Sequence, residues 1–96
     1  MRYFSVESRS DHVMLSGEID LGAVAELRSS FERAVASSAN CLVVDVASVT
    51  FIDSSGINEF VRVVRSGHGV TLVGASTRVR RTFEMLGLDD IMTLDG

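Results

Sequence analysis

Asp45-Val46-Ala47-Ser48-Val49-Thr50-Phe51-Ile52-Asp53-Ser54-Ser55-Gly56-Ile57 is the stretch on which the reading of this 96-residue chain turns. Leading into it, residues 41–46 (CLVVDV) form a short apolar run with a charge only near its end, the look of a strand buried on both faces. Beyond it, Ile57, Phe60, Val61 and Val64 recur at helical spacing, so a helix opens near Ser54 or Ser55 and continues to about Arg65. Residues 47–53 then read as a connection with Val49, Phe51 and Ile52 turned inward. A strand followed by a short loop and a helix is half of a parallel crossover, and crossovers define an α/β sheet.

Near the start of the chain, residues 2–7 alternate Tyr3, Ser5 and Glu7 against Phe4 and Val6, which predicts a strand. Residues 8–11 make a polar turn, and residues 12–16 (HVMLS) a second strand, close enough to pair antiparallel with the first. The chain leaves this strand at 17–20, where Asp20 suits a helix N-cap. Leu21, Val24, Leu27, Phe31 and Val35 then place a buried stripe on a helix over 21–37. After the central strand and helix, a break at 66–69 precedes an apolar strand at 70–73. Ser76 caps a third helix over 77–86 that buries Val79, Phe83 and Leu86, and Gly87 sits where a C′ glycine ends a helix. Residues 91–94 add a possible last strand. The order is β-β-α-β-α-β-α with an optional final β, a single domain over residues 1–96 without linker, repeat or low-complexity tract. Right-handed crossovers lay the helices on the sheet.

Composition narrows the chemistry. Hydrophobic residues make up 46% and charged residues 23%, a globular balance, and no apolar run approaches a membrane span. The start MRYFSVESRSD is unlike a signal peptide, and one cysteine cannot build a disulfide framework, so a reduced, cytoplasmic protein is expected. Cys41, on a strand, is expected to be buried. A net charge of −4 argues against nucleic acid as the main partner. All nine basic residues are arginine, which removes P-loop lysines, Schiff-base lysines and serine–lysine dyads. His12, His68 and Cys41 lack metal-ligand spacing, so neither a metal nor a cofactor is expected.

The two serines lie where parallel sheets gather function, beyond the carboxyl end of a strand and at a helix N-terminus with unpaired N–H groups. Serine is among the best N-caps, so capping is the plain use of Ser54 or Ser55. A capping box is missing, because Ile57 and Asn58 stand where Glu or Gln would reach back. Gly56 in the first helical turn costs about 1 kcal/mol against alanine. A small residue there lets another part of the chain come close. Nucleophilic catalysis fits poorly: Phe51, Ile52 and Asp53 precede Ser54 without the glycine of a nucleophile elbow. His12 and His68 also fall at the opposite end of the predicted sheet. The remaining use is acceptance of a phosphoryl group by an exposed serine.

The chain resembles the STAS domains of bacterial anti-sigma factor antagonists. Leu15-Ser16-Gly17-Glu18-Ile19-Asp20 is similar to that family's L-x-G-E-[LI]-D, and residues 45–57 are similar to its D-[LV]-[SA]-x-[VL]-x-F-[IM]-D-S-[ST]-G-[LI] signature. Leu72-Val73-Gly74, Val79-Arg80-Arg81 and Leu86-Gly87-Leu88 match its last third. The resemblance implies the STAS fold: a mixed sheet of four to five strands, with an N-terminal antiparallel hairpin, the rest mostly parallel, and three main helices. It implies a non-enzymatic module of stress-response or sporulation type. Its unphosphorylated form binds an anti-sigma factor that is also an ATPase-fold serine kinase and so frees a sigma factor. Phosphorylation at Ser54 blocks binding, and a serine phosphatase resets it. The free protein is expected to be monomeric, with neither nucleic acid nor membrane as partner.

Under the same resemblance, Asp53, Ser55 and Gly56 surround the phosphosite and Asp20 and Asn58 are partner-binding candidates. Asp20 as a helix cap and Asp53 as a turn residue are the simpler alternatives. Glu59, where relatives often carry small or apolar residues, is expected to add a negative charge beside the interface and to set specificity among kinases. Arg78, Arg80 and Arg81 read as a solvated helix face that a partner can also use. The alternative function is an unphosphorylated STAS scaffold in a transporter, lipid-trafficking or other regulatory complex.

Overall fold

The structure is a computed structural model and describes residues 4–9, 12–37 and 41–95. Five strands lie in sequential order, β1 (Phe4–Arg9), β2 (His12–Ile19), β3 (Cys41–Ile52), β4 (Gly69–Val73) and β5 (Thr93–Asp95). β1 and β2 form an antiparallel hairpin, and β2 through β5 pair in parallel. The connecting helices are α1 (Val24–Ser37), α2 (Ser54–Arg65) and α3 (Thr77–Met85). This is the mixed sheet with three main helices that the sequence predicts. The expected strand residues 2–3 and turn residues 10–11 lie outside the described residues.

Right-handed crossovers that step in one direction along a sheet put every helix on the same face. There Phe31 of α1, Phe60 of α2 and Phe83 of α3 meet edge to face, with ring centroids 5.1 and 5.3 Å apart. Edge-to-face rings contribute about 0.5–1.5 kcal/mol per pair beyond their burial. Val13, Leu15, Val44, Val46 and Leu72 point from the strands into this layer and are buried. The opposite face is open. Met14 is exposed, and Val43 and Asp45 are only half-buried, so β3 is covered on one face and not on both as expected. Its apolar run misled because Val43 lies in a central strand, where neighbouring strands shield even the open side.

β3 is also twice as long as expected. Its buried residues fall at Leu42, Val44, Val46, Val49 and Ile52, so the spacing changes from two to three after Val46. The register against β2 slips at the same two places, between Met14 and Ser16 and between Gly17 and Glu18. Each slip is a bulge that inserts one residue and restores the inward phase of the next. Residues 47–52 are thus strand and not connection. Val49 and Ile52 do turn inward, but Phe51 faces out and is 45% exposed. β2 likewise continues through Ile19, beyond the expected end.

The helix stripes shift for similar local reasons. A 3-10 turn at Leu21–Ala23 precedes α1, and its three residues per turn rotate Leu21 out to 74% exposure while Ala23 is buried. Leu27, Phe31 and Ala34 continue the stripe, with Val24 and Val35 at its margins. On α2 the core positions are Ile57, Phe60 and Val63, with Val61 and Val64 half-buried. α3 ends at Met85, one residue short of Leu86, because Gly87 adopts a left-handed φ of 72°. Leu86 is left exposed and Leu88 is buried in its place. Cys41 is exposed, contrary to expectation, at the start of β3.

Two substitutions test this packing. A Cβ at Gly56 would stand 2.8 Å from Ile19 Cγ2 and 2.9 Å from the Ile19 carbonyl oxygen. Gly56→Ala is therefore expected to cost about 1–3 kcal/mol, a fall of at least about 5 °C in a thermal melt. Ser30 is buried on α1 and its hydroxyl has no hydrogen-bond partner among the described residues. Ser30→Ala should leave the melting temperature unchanged or raise it, and a fall of more than about 3 °C would show that the hydroxyl is bonded.

Candidate functional site

β2 and β3 end side by side, with Ile19 opposite Ile52. Each strand is followed by an aspartate in extended conformation that caps the next helical segment. Asp20 Oδ1 accepts from the Gly22 amide at 3.0 Å. Asp53 Oδ1 accepts from the amides of Ser55 at 2.9 Å and Gly56 at 3.2 Å. The Asp53 amide donates to the Ile19 carbonyl at 3.2 Å, tying the two corners together. Gly56 makes this possible, since any side chain there would strike Ile19. The small-residue requirement read from the sequence is thus met by a strand end.

Asp53, and neither serine, is the cap of α2. That settles where Ser54 stands: it is the first residue of the helix, exposed, and its hydroxyl makes no hydrogen bond among the described residues. Ser55 is half-buried beside it, and Asn58 is exposed one turn further on. The N-terminus of α2 adds a partial positive charge next to the Ser54 oxygen, while Asp20 and Asp53 place carboxylates close by. The structure therefore brings Asp20, Asp53, Ser54, Ser55, Gly56 and Asn58 to one corner. His12 pairs with Val43, and His68 precedes β4, so both imidazoles lie at the opposite end of the sheet. His12 stands roughly 23 Å along β2 from Ile19 at ~3.3 Å per residue, too far from the Ser54 corner to serve as a base. Among the described residues no group of His, Cys, Asp or Glu is placed to hold a metal ion. No helix of the described residues is long and apolar enough to cross a membrane.

Glu59 departs from the sequence reading. Its side chain is 4% exposed and receives two hydrogen bonds from Arg28 of α1, Nε to Oε1 at 3.0 Å and Nη2 to Oε2 at 2.9 Å. Arg62 stands a further 3.6 Å from Oε1. The Arg28 guanidinium is held above its ordinary value by these hydrogen bonds and by the Glu59 charge. Glu59 is thus a neutralised strut between α1 and α2 and adds no free negative charge beside Ser54. Arg28 precedes it by 31 residues, and no local pattern links the two. Arg78, Arg80 and Arg81 lie on α3, with Arg78 beside Phe51 and Ile52 across a cavity of 170 Å³.

Known proteins share the fold of this chain. The STAS domain family model matches residues 3–95. The anti-sigma-B factor antagonist of Listeria monocytogenes is 30% identical over 94 residues, covering 92% of this chain and 82% of that protein. Among solved structures, an anti-sigma factor antagonist from Mycobacterium paratuberculosis has a TM-score of 0.73 at 30% identity, covering 96% of this chain and 83% of that one. The anti-sigma factor antagonist SpoIIAA in its unphosphorylated form has a TM-score of 0.73 at 25% identity, covering 97% and 87%. The chain belongs to the STAS domain family.

The Arg28–Glu59 strut is open to a double-mutant cycle. Arg28→Ala leaves a buried carboxylate facing only the more distant Arg62 and is expected to cost about 1–3 kcal/mol. Adding Glu59→Gln should recover part of that loss, with a coupling energy on the order of 1 kcal/mol by chemical denaturation. A coupling within about 0.3 kcal/mol of zero would show that the pair holds nothing together.

Proposed function

We propose that this protein is a cytoplasmic anti-sigma factor antagonist that works by partner switching, with Ser54 as its phosphorylation site. In this reading the unphosphorylated corner formed by Asp20, Asp53, Ser54 and Asn58 docks on an anti-sigma factor and releases the sigma factor. The anti-sigma factor is also the kinase. Ser54 Oγ attacks the γ-phosphorus of ATP held by that kinase. The new O–P bond forms as the bond to ADP breaks, and the hydroxyl proton passes to a base of the kinase. A separate phosphatase hydrolyses the ester. The observation that carries the reading is the exposed Ser54 hydroxyl, left uncommitted because Asp53 does the capping. Membership of the STAS family and likeness to named anti-sigma factor antagonists support it.

Magnitudes favour a blocked interface over a disturbed fold. A phosphate at a helix N-terminus interacts favourably by about 0.3–1 kcal/mol. Its dianion, set beside Asp20 and Asp53, must be desolvated whenever a partner covers the corner, and unmatched charge at an interface costs several kcal/mol. A hundredfold loss of affinity needs only about 2.7 kcal/mol.

The test is affinity capture with wild type, Ser54→Ala and Ser54→Asp as baits, followed by phosphate mapping after ATP is added. The alanine bait should hold an ATPase-fold kinase, the aspartate bait should lose it, and phosphate should map to Ser54. The melting temperature of Ser54→Asp should stay within about 3 °C of wild type. A larger fall would replace the interface account with one of unfolding. Capture of the same partner by all three baits, with Ser54 unmodified, would make the protein a constitutive adaptor.

A further inference from the structure

From Ser55 to Arg65 the length of α2 faces the 3-10 turn and the first turns of α1 across an open groove of 520 Å³. Its apolar wall is Leu21, Val24 and Val61, and its polar rim is Asn58, Arg62 and Arg65. Leu21 is the apolar side chain that the 3-10 turn rotates into solvent. Three guanidiniums border the groove, those of Arg28, Arg62 and Arg65, against the single carboxylate of Glu59. Glu59 is spent on Arg28, while Arg62 is held only at 3.6 Å and is 58% exposed. Arg65 is exposed and has no ion pair among the described residues. A chain of net charge −4 therefore presents a local excess of positive charge next to the two carboxylates of the Ser54 corner. The surface is bipolar, acidic at the strand ends and basic along α2.

We propose that this groove is the specificity half of the docking surface, and that its occupant is an acidic, apolar segment of the anti-sigma factor. One apolar side chain of the partner lies against Leu21, Val24 and Val61, and a carboxylate bonds Arg62 and Arg65. Charge complementarity selects this occupant. A basic segment would face two unmatched arginines, and like charges across an interface suppress wrong partners. The proposal rests on the partner-switching reading and adds to it which kinase surface is accepted. Paralogous kinases that carry a basic residue at that point are refused.

The experiment uses the purified kinase that phosphorylates Ser54, titrated calorimetrically with wild type, Arg65→Glu, Arg65→Lys, Arg62→Gln and Leu21→Ser. Arg65→Glu should weaken binding by about tenfold or more at ~0.05 M salt and by clearly less at ~0.5 M, where the Debye length is short. Arg65→Lys should stay within about threefold because it keeps the charge. Arg62→Gln should weaken binding in the same salt-dependent way. Leu21→Ser should weaken it by about tenfold with little dependence on salt, as loss of an apolar anchor does. Melting curves of Arg65→Glu, Arg65→Lys and Leu21→Ser, altered only at exposed positions, should match wild type, and Arg62→Gln, which gives up the 3.6 Å ion pair to Glu59 but leaves the Arg28 bonds in place, should melt only slightly lower. Binding of Arg65→Glu and Leu21→Ser within about twofold of wild type would overturn the groove while leaving the Ser54 switch standing. A wild type that no kinase binds or phosphorylates would overturn the switch and the groove together.

Discussion

Parallel strands β2 and β3 finish level with each other, and the carbonyl of Ile19 accepts the amide of Asp53 just where β3 gives way to α2. That contact requires Gly56 to sit against the backbone of the neighbouring strand. It also sets Asp53 in the extended conformation from which its carboxylate caps the helix. Once the cap is an aspartate, the serine after it is free to face solvent. The direction of α2, the depth of Phe60 in the core and the position of Ser54 all follow from one hydrogen bond between strand ends and the absence of one side chain. The two bulges of β3 serve the same end. Without their two added residues, a strand of this length would not bring Ile52 level with Ile19 in the inward phase.

The order and type of the elements were legible in the sequence because each carries its own period and its own punctuation. Asp20, Ser76 and Gly87 mark helix ends where the structure puts them. What was not legible came from interactions between distant residues or from interruptions of a period. The bulges break the alternation of β3 at Val46 and Val49, so half of the strand looked like a loop. The 3-10 turn changes the period before α1 and moves Leu21 from the core to the surface. At the site, the placing of Ser54 and the need for a small residue at Gly56 could be read locally. The choice of Asp53 as the cap could not, because two serines beside it are equally good cappers. Glu59 was misplaced for a different reason. A glutamate on a helix is exposed unless something far away in sequence compensates its charge, and Arg28 does so from another helix.

A sheet with four parallel strands and one open face is an unusual arrangement, since parallel sheets are generally covered on both sides. Here the uncovered side is made tolerable by its residues. Ser5 and Ser16 bond across the hairpin, Asp45 takes the amide of Ala47 at the first bulge, and Thr71 lies among them in β4. The apolar investment is concentrated on the helical side, which also carries the Arg28–Glu59 strut. The corner bearing Ser54 thus stands on the better-packed half of the molecule, with both of its helices fixed to each other by charge as well as by contact.

The aromatic chain from Phe31 through Phe60 to Phe83 has a consequence for how the molecule opens. One ring from each helix takes part, and the central ring touches both others. No helix can therefore leave the sheet without uncovering a ring of its neighbour, so the three helices are expected to open together in hydrogen exchange. Sub-global opening is expected first at the sheet margins, where β5 has three residues and β1 has a partner on one side only. Amides in α1, α2 and α3 would exchange at one common, slow rate, and those of the two edge strands ahead of them.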